Sequence, residues 1–339
     1  MSVLPATSRE WHLVARPHGE PRAEDFALRE APVSAPGEGR VLVRNLYFSV
    51  DPYMRGRMND VESYAAPFQL DHPMAGGAVG EVIASDAEGF AVGDHVRHQL
   101  GWREYAELPG EDAVKVDASL APLSAYLGVL GMTGLTAYAG LFESASFKKG
   151  DAVFVSGAAG AVGSVVGQLA KIKGASRVIG SAGSDEKVDL LIEEFGFDAA
   201  FNYKNGPVAK QLEEAAPDGI DVYFDNVGGE HLDAALSSLN LYGRVAMCGM
   251  ISQYNSTEPT AAPSNLILVI SKRLRLQGML AFDHFGLRQQ FVQDVAGWLA
   301  SGELEYRETV VEGIENGYEA FAGLLRGDNT GKMIVSVVP

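Results

Sequence analysis

The chain has 339 residues, 47% of them hydrophobic, enough to bury the cores of two domains. Its formal net charge of −17 argues against the clustered cationic surface that non-specific binding to nucleic acid or an anionic membrane requires. A single cysteine, Cys248, excludes an intrachain disulfide and any cysteine-rich zinc site.

From Met1 to Glu30, charges and prolines leave no apolar run, and nowhere do uninterrupted apolar residues approach the roughly eighteen of a membrane span, so a cytoplasmic protein is expected. Between Trp11 and Val116, short runs such as "RVLVRNLYFSV" and "GGAVGEVIAS" are broken by Pro, Gly and Asp, which predicts a compact, mostly β domain without helices. From Leu127 strands alternate with amphipathic helices, the pattern of a parallel sheet covered on both faces. The predicted strands are Asp151–Ser156, Arg177–Ser181, Ala199–Tyr203, Asp221–Asp225 and Arg244–Gly249. In "SDEKVDLLIEEFG" Ser184 caps a helix whose apolar stripe is Val188, Leu191, Ile192 and Phe195. Beyond Phe285 come a helix ("RQQFVQDVAGWLASG"), a strand, a helix and a last strand ("KMIVSVV"), a tail able to return to the first domain.

"VFVSG" reads as a buried strand, and "AVGSVVGQLAKI" as a helix with Val162, Val165, Val166, Leu169 and Ile172 inward. "GAAGAVG" therefore occupies the strand-to-helix turn that the dinucleotide fingerprint requires. Gly160 admits the pyrophosphate, Gly163 lets the helix pack on the sheet, and the amides at the helix N-terminus, around Ala161 and Val162, face the negative charge. Ala158 stands where the usual pattern has its first glycine. After the second strand, where NAD sites place an acid, "GSAGSDEK" offers Ser181, Gly183 and Ser184, with Lys187 one turn into the next helix. Small hydroxyl residues and a cation suit a 2′-phosphate, so NADPH is predicted over NADH, with Asp185 and Glu186 pointing outward.

A β-rich first domain, a nucleotide domain and a returning tail resemble the medium-chain dehydrogenase/reductase superfamily. Its zinc alcohol dehydrogenases hold their metal with Cys and His, whereas "SVDPYMRGR" and "MAGGAVGEV" here supply neither, and His95 and His98 are read as packing or solvent-facing residues. More closely, "NLYFSVDPYMRGRM", "GMTGLTAYAGL", "SGAAGAVGSVVGQLAK", "GSDEK", "FNYK", "YFDNVGGE", "CGMISQYN" and "GDNTGK" resemble, in order, the zinc-independent alkenal and prostaglandin reductase branch, which includes leukotriene B4 dehydrogenases, plant double-bond reductases and bacterial curcumin reductases. The resemblance implies an α/β protein: a GroES-like β-rich catalytic domain over residues 1–126, a Rossmann doubly wound parallel-sheet domain binding NADP over 127–287, and a return to the catalytic domain over 288–339.

The resemblance further implies NADPH-dependent, zinc-free reduction of the C=C bond of α,β-unsaturated aldehydes and ketones. Hydride at the β-carbon leaves negative charge on the carbonyl oxygen, which hydroxyl donors must hold in place of a metal. The family places one such donor at Tyr254, beside the nicotinamide ribose 2′-hydroxyl, and a phenol of pKa about 10 stays protonated at neutral pH. Tyr53 is the second catalytic candidate; Tyr53, Tyr64 and Arg55 are the candidate substrate contacts. Beyond the glycine turn, cofactor contacts fall on Ser184, Lys187, Tyr203, Asn226, Cys248, Gly249, Ile251, Tyr254, Met279, Leu280, Ala281 and Asn329. Cys248 itself reads as a small buried hydrophobe and not a nucleophile. A homodimer pairing nucleotide domains edge to edge is expected, with the apolar "NLILVI" beside the last strand covered. The alternatives are a quinone reductase of the same superfamily and a non-catalytic NADPH-binding protein.

Overall fold

The computed structural model describes residues 4–337, which fall into two compact units. The first holds residues 4–127, Glu308–Asn329 and 333–337; the second holds Gly128–Arg307 and Thr330–Lys332.

The first unit begins with β1 (Thr7–Leu13), β2 (Phe26–Pro32), β3 (Arg40–Ser49), the short helix α1 (Tyr53–Arg57), β4 (His72–Pro73), β5 (Ala78–Ser85), β6 (His95–His98), β7 (Tyr105–Pro109) and β8 (Val114–Lys115). β3 pairs antiparallel with β5 and β7, and its apolar Val41, Leu42, Val43 and Phe48 are buried. Val41 and Val43 join Val82, Val96, Ala106 and Leu108 in one core; Phe48 joins Trp11, Met54, Met58, Trp102 and Phe321 in another. Helix α1 departs from the expected absence of helices. It spans five residues, too few to show a period, and starts where Pro52 holds φ at −59° and Met54 turns into the core.

The second unit contains α2 (Met132–Ala139), β9 (Ala152–Val155), α3 (Gly163–Ile172), β10 (Arg177–Ala182), α4 (Asp185–Glu193), β11 (Ala199–Asn202), α5 (Val208–Ala215), β12 (Ile220–Asp225), α6 (Gly229–Ser238), β13 (Leu239–Met247), α7 (Ile267–Ser271), β14 (Arg275–Gly278) and α8 (Arg288–Ser301). All pairs in its six-stranded sheet are parallel, in the order β11-β10-β9-β12-β13-β14. The chain order reverses between β9 and β12, which opens a crevice at their carboxyl ends. Phe154 stacks on Tyr223 and Phe201 in the core below it.

Three details differ from the sequence reading. β13 begins at Leu239 and stops at Met247, because the amides of Cys248 and Gly249 both donate to the Asp225 carbonyl at 2.9 Å instead of extending the ladder. Ile192 is 44% exposed; α4 buries Leu191, and Phe195 just beyond its end is buried as well. Residues 288–307 remain with the second unit, since Phe291 and Val295 of α8 are buried and the Phe291 ring lies 5.8 Å from that of Tyr138 in α2. The chain then completes the first unit with β15 (Glu308–Glu312), α9 (Gly317–Arg326) and β16 (Lys332–Ser336), β16 pairing with β3 and Phe321 seating edge-on to Trp102.

Candidate active site

The glycine turn follows the buried strand β9. Gly157 has φ 59°, the left-handed region that a side chain disfavours, so the tight turn falls one residue before Ala158. A Cβ on Gly163 would stand 2.5 Å from the Gly157 carbonyl oxygen and 2.8 Å from Ala158 Cα, so α3 can approach the sheet only without one. The first helical bond runs from Ser164 N–H to the Gly160 carbonyl at 3.1 Å, leaving Ala161, Val162 and Gly163 as the open N-terminus of a buried helix.

At the end of β10, Ser184 caps α4 by accepting the Lys187 N–H at 3.4 Å. Tyr203 brings its hydroxyl to 3.1 Å from where a Gly183 Cβ would be. Gly183, Ser184, Lys187 and Tyr203 thus gather at one sheet end. Asp185 is exposed and turned aside: Asn202 Nδ2 donates to its carboxylate at 2.8 Å and Asn205 Nδ2 at 3.1 Å.

The ends of β12 and β13 are organised by Asp225, which is fully buried. Its Oδ1 accepts from the Tyr223 hydroxyl at 2.7 Å, Ser156 Oγ at 3.3 Å, and the amides of Val227 and Gly228 at 3.0 and 2.7 Å. Burial pushes the Asp225 carboxyl up despite these bonds, and burial beside Asp225 pushes the Tyr223 phenol up. Sequence reasoning missed this cluster and Gly157; the signals were an Asp closing the apolar run "VYFD" and the glycine preceding Ala158. Asn226 gives its side-chain amide to the Ser156 carbonyl at 2.8 Å, and its own carbonyl accepts from Ile251 at 3.3 Å. Asn226 therefore ties β9 to the segment carrying Tyr254. That phenol curls back, accepting from Met250 N–H at 3.4 Å and lying 3.2 Å from the position of a Gly249 Cβ. Met279 donates its amide to Met247 at 3.2 Å, placing Met279, Leu280 and Ala281 alongside Cys248 and Gly249. Cys248 is half-buried, not fully enclosed as expected, and its thiol is pushed up to about 12 by burial and by Asp225, which keeps it neutral.

Tyr53, Tyr64, Arg55 and Asn329 belong to the first unit. Burial and the Asp51 carboxylate raise the Tyr53 phenol, keeping it a donor, and Tyr64 is near enough to act on it electrostatically. Arg55 differs from its expected substrate role: it is 3% exposed and its guanidinium donates to the carbonyls of Pro17 and Gly19 and to Asn59, bracing the 17–19 loop. His98 is buried, with its pKa lowered to about 3 by burial and by Arg103. Among the described residues no group of three or more His, Cys, Asp or Glu is placed to hold a metal ion, and no helix is long and apolar enough to cross a membrane.

The crevice fits a dinucleotide. Its glycine turn leaves the space a side chain would fill, and Ser181 Oγ and Asp225 Oδ2, at two of its strand ends, are buried without a hydrogen-bond partner among the described residues.

Residues 9–116 match a family described as the N-terminal domain of oxidoreductase, and residues 161–301 one described as zinc-binding dehydrogenase. The chain is 46% identical to the NADP(+)-dependent 2-alkenal reductase of Nicotiana tabacum, over 94% of each chain. It is 42% identical to the NADPH-dependent curcumin reductase of Escherichia coli, over 97% of each. The crystal structure of CurA from Vibrio vulnificus in complex with NADPH matches with a TM-score of 0.93 and 43% identity, covering 98% of this chain and 99% of that one.

Proposed function

The chain belongs to the zinc-independent alkenal and prostaglandin reductase branch of the medium-chain dehydrogenase/reductases, and from that premise we propose that it reduces the carbon–carbon double bond of α,β-unsaturated aldehydes and ketones with NADPH. The observation that supports the reading is the Tyr254 phenol, which accepts from Met250 N–H and lies 3.2 Å from the position of a Gly249 Cβ, just past the carboxyl end of β13.

Gly160 to Gly163 would hold the pyrophosphate, and Ser184, Lys187 and Tyr203 the 2′-phosphate. Asn226, the 248–251 backbone and residues 279–281 would hold the nicotinamide end, and Asn329 of the first unit remains the contact that the family resemblance implies. When bound, NADPH would supply a hydride to the β-carbon and leave as NADP+. As the double-bond electrons move toward the carbonyl oxygen, the Tyr254 hydroxyl donates a hydrogen bond to it in place of a metal. Tyr53, kept protonated, offers a second donor, and Tyr64 helps enclose the apolar substrate. A proton at the α-carbon completes the saturated carbonyl product. The scheme relies on hydroxyl donors and assigns no step to zinc.

We place the protein in the cytoplasm as a homodimer, without nucleic-acid or membrane partners. The edge strand β14 and the exposed Leu266, Ile267 and Ile270 beside it form the apolar edge that a second copy covers, and sedimentation should give twice the chain mass. The decisive assay follows NADPH consumption over enals, enones and quinones and identifies the product. A saturated carbonyl is expected; an allylic alcohol, or turnover of quinones alone, defeats the proposal. Tyr254→Phe should lower kcat about 10²-fold while NADPH still binds, and an unchanged kcat removes Tyr254 from the chemistry.

A further inference from the structure

The tripeptide Thr330–Lys332 is the one stretch of the tail that counts with the second unit, and it lies against the glycine turn. Gly331 N–H donates to the Ala159 carbonyl at 2.8 Å, and Gly331 pairs with Gly160 in an isolated parallel bridge. On its other side Lys332 N–H donates to the Arg307 carbonyl at 2.9 Å. Gly331 has φ 66°, and a Cβ there would stand 1.9 Å from that carbonyl oxygen and 2.5 Å from its carbon. No other residue fits between the two backbones.

The 305–307 segment that backs this contact is anchored to both helices of the nucleotide site. Gln168, buried in α3, donates to the Glu305 carbonyl at 2.9 Å and accepts its N–H at 2.8 Å. Arg307 donates to Glu194, the residue that caps the C-terminus of α4, at 3.0 Å. Ala159 and Gly160 are thus gripped from outside the turn, by a peptide whose support reaches α3 directly and α4 through an ion pair.

We propose that Gly331 is a positioning residue for the cofactor, through which Thr330–Lys332 clamps the glycine turn in its phosphate-binding shape. The proposal rests on the reading of that turn as the NADPH site. A clamp removes turn conformations that would otherwise have to be ordered on binding, so its loss shows in affinity for the coenzyme and not in the groups that act on the substrate.

Hydrogen–deuterium exchange on the intact chain, with and without NADPH, tests the clamp without any variant. Peptides covering residues 157–166 and 328–334 should be protected together, each by roughly tenfold or more. Protection of the glycine turn with unchanged exchange around Gly331 overturns the clamp alone; absence of any NADPH binding, read by fluorescence titration of the same sample, overturns the cofactor reading and the clamp with it. Gly331→Ala should raise the NADPH Kd at least about tenfold, with the loss in KM for NADPH and not in kcat at saturation. Gln168→Met, which keeps the length but drops both bonds to Glu305, should raise Kd about threefold. Wild-type Kd in both variants, or a fall in kcat with Kd unchanged, refutes the assignment.

Discussion

Tyr254 and Gly249 act as a pair. A Cβ at 249 would meet the Tyr254 oxygen at 3.2 Å and the Asn226 carbonyl at 3.3 Å, so Gly249→Ala should displace the phenol by a few tenths of an ångström without unfolding the strand end. The expected result is a fall in kcat of roughly threefold to tenfold with NADPH binding kept, because small misplacements of a donor weaken transition-state stabilisation more than ground-state binding. Stopped-flow measurement of the hydride step checks this, and an unaltered rate would mean that the phenol does not depend on that packing. Single residues were unevenly legible in the sequence. The turn that carries Gly160 and Gly163 and the helix start at Ser184 and Lys187 follow from local spacing, because a strand-to-helix turn has few solutions. Arg55 could not be resolved that way. Whether a guanidinium faces a ligand or spends its donors on Pro17 and Gly19 depends on a loop distant in sequence.

At the level of elements, the strand centres were readable because parallel strands buried on both faces form apolar runs, such as Val153–Val155. Their ends were not, since tertiary bonds set them: the Asp225 carbonyl draws Cys248 and Gly249 out of the ladder, creating the segment that presents Tyr254. At the N-terminus of α4 the helix start and the proposed 2′-phosphate site share residues. Ser184 closes the helix, Lys187 stands in its first turn, and Asn202 and Asn205 hold the Asp185 carboxylate aside. Lys187→Ala should therefore leave helix and fold intact but raise KM for NADPH by about tenfold or more, the scale of one charge-assisted hydrogen bond, with KM for NADH unmoved. Equal effects on the two coenzymes would show that Lys187 does not read the 2′-phosphate.

Across the whole molecule, buried titratable groups set the pH range of stability, with a neutral histidine in each unit. His98 of the first unit is lowered to about 3 by burial and Arg103; His231 of the second, whose ring meets Tyr203 at 5.3 Å, is lowered to about 4 by burial against a smaller opposing effect of Glu230. Unfolded, each takes a proton near pH 6.5, so their contributions are complete above that pH and are lost as pH falls toward the folded values. At pH 5 this amounts to about 2 kcal/mol for each histidine. Cys248 works in the opposite direction. Its folded value of about 12 lies above the ordinary thiol, so its contribution is complete below about pH 9 and lost as pH rises toward 12. Urea midpoints should accordingly fall on both sides of a plateau between about pH 6.5 and 9. His231→Gln should flatten the acid limb of the second unit's transition while leaving that of the first, and Cys248→Ala should flatten the alkaline limb. Midpoints that fall as steeply in the variants as in the wild type would show that other groups govern the limbs.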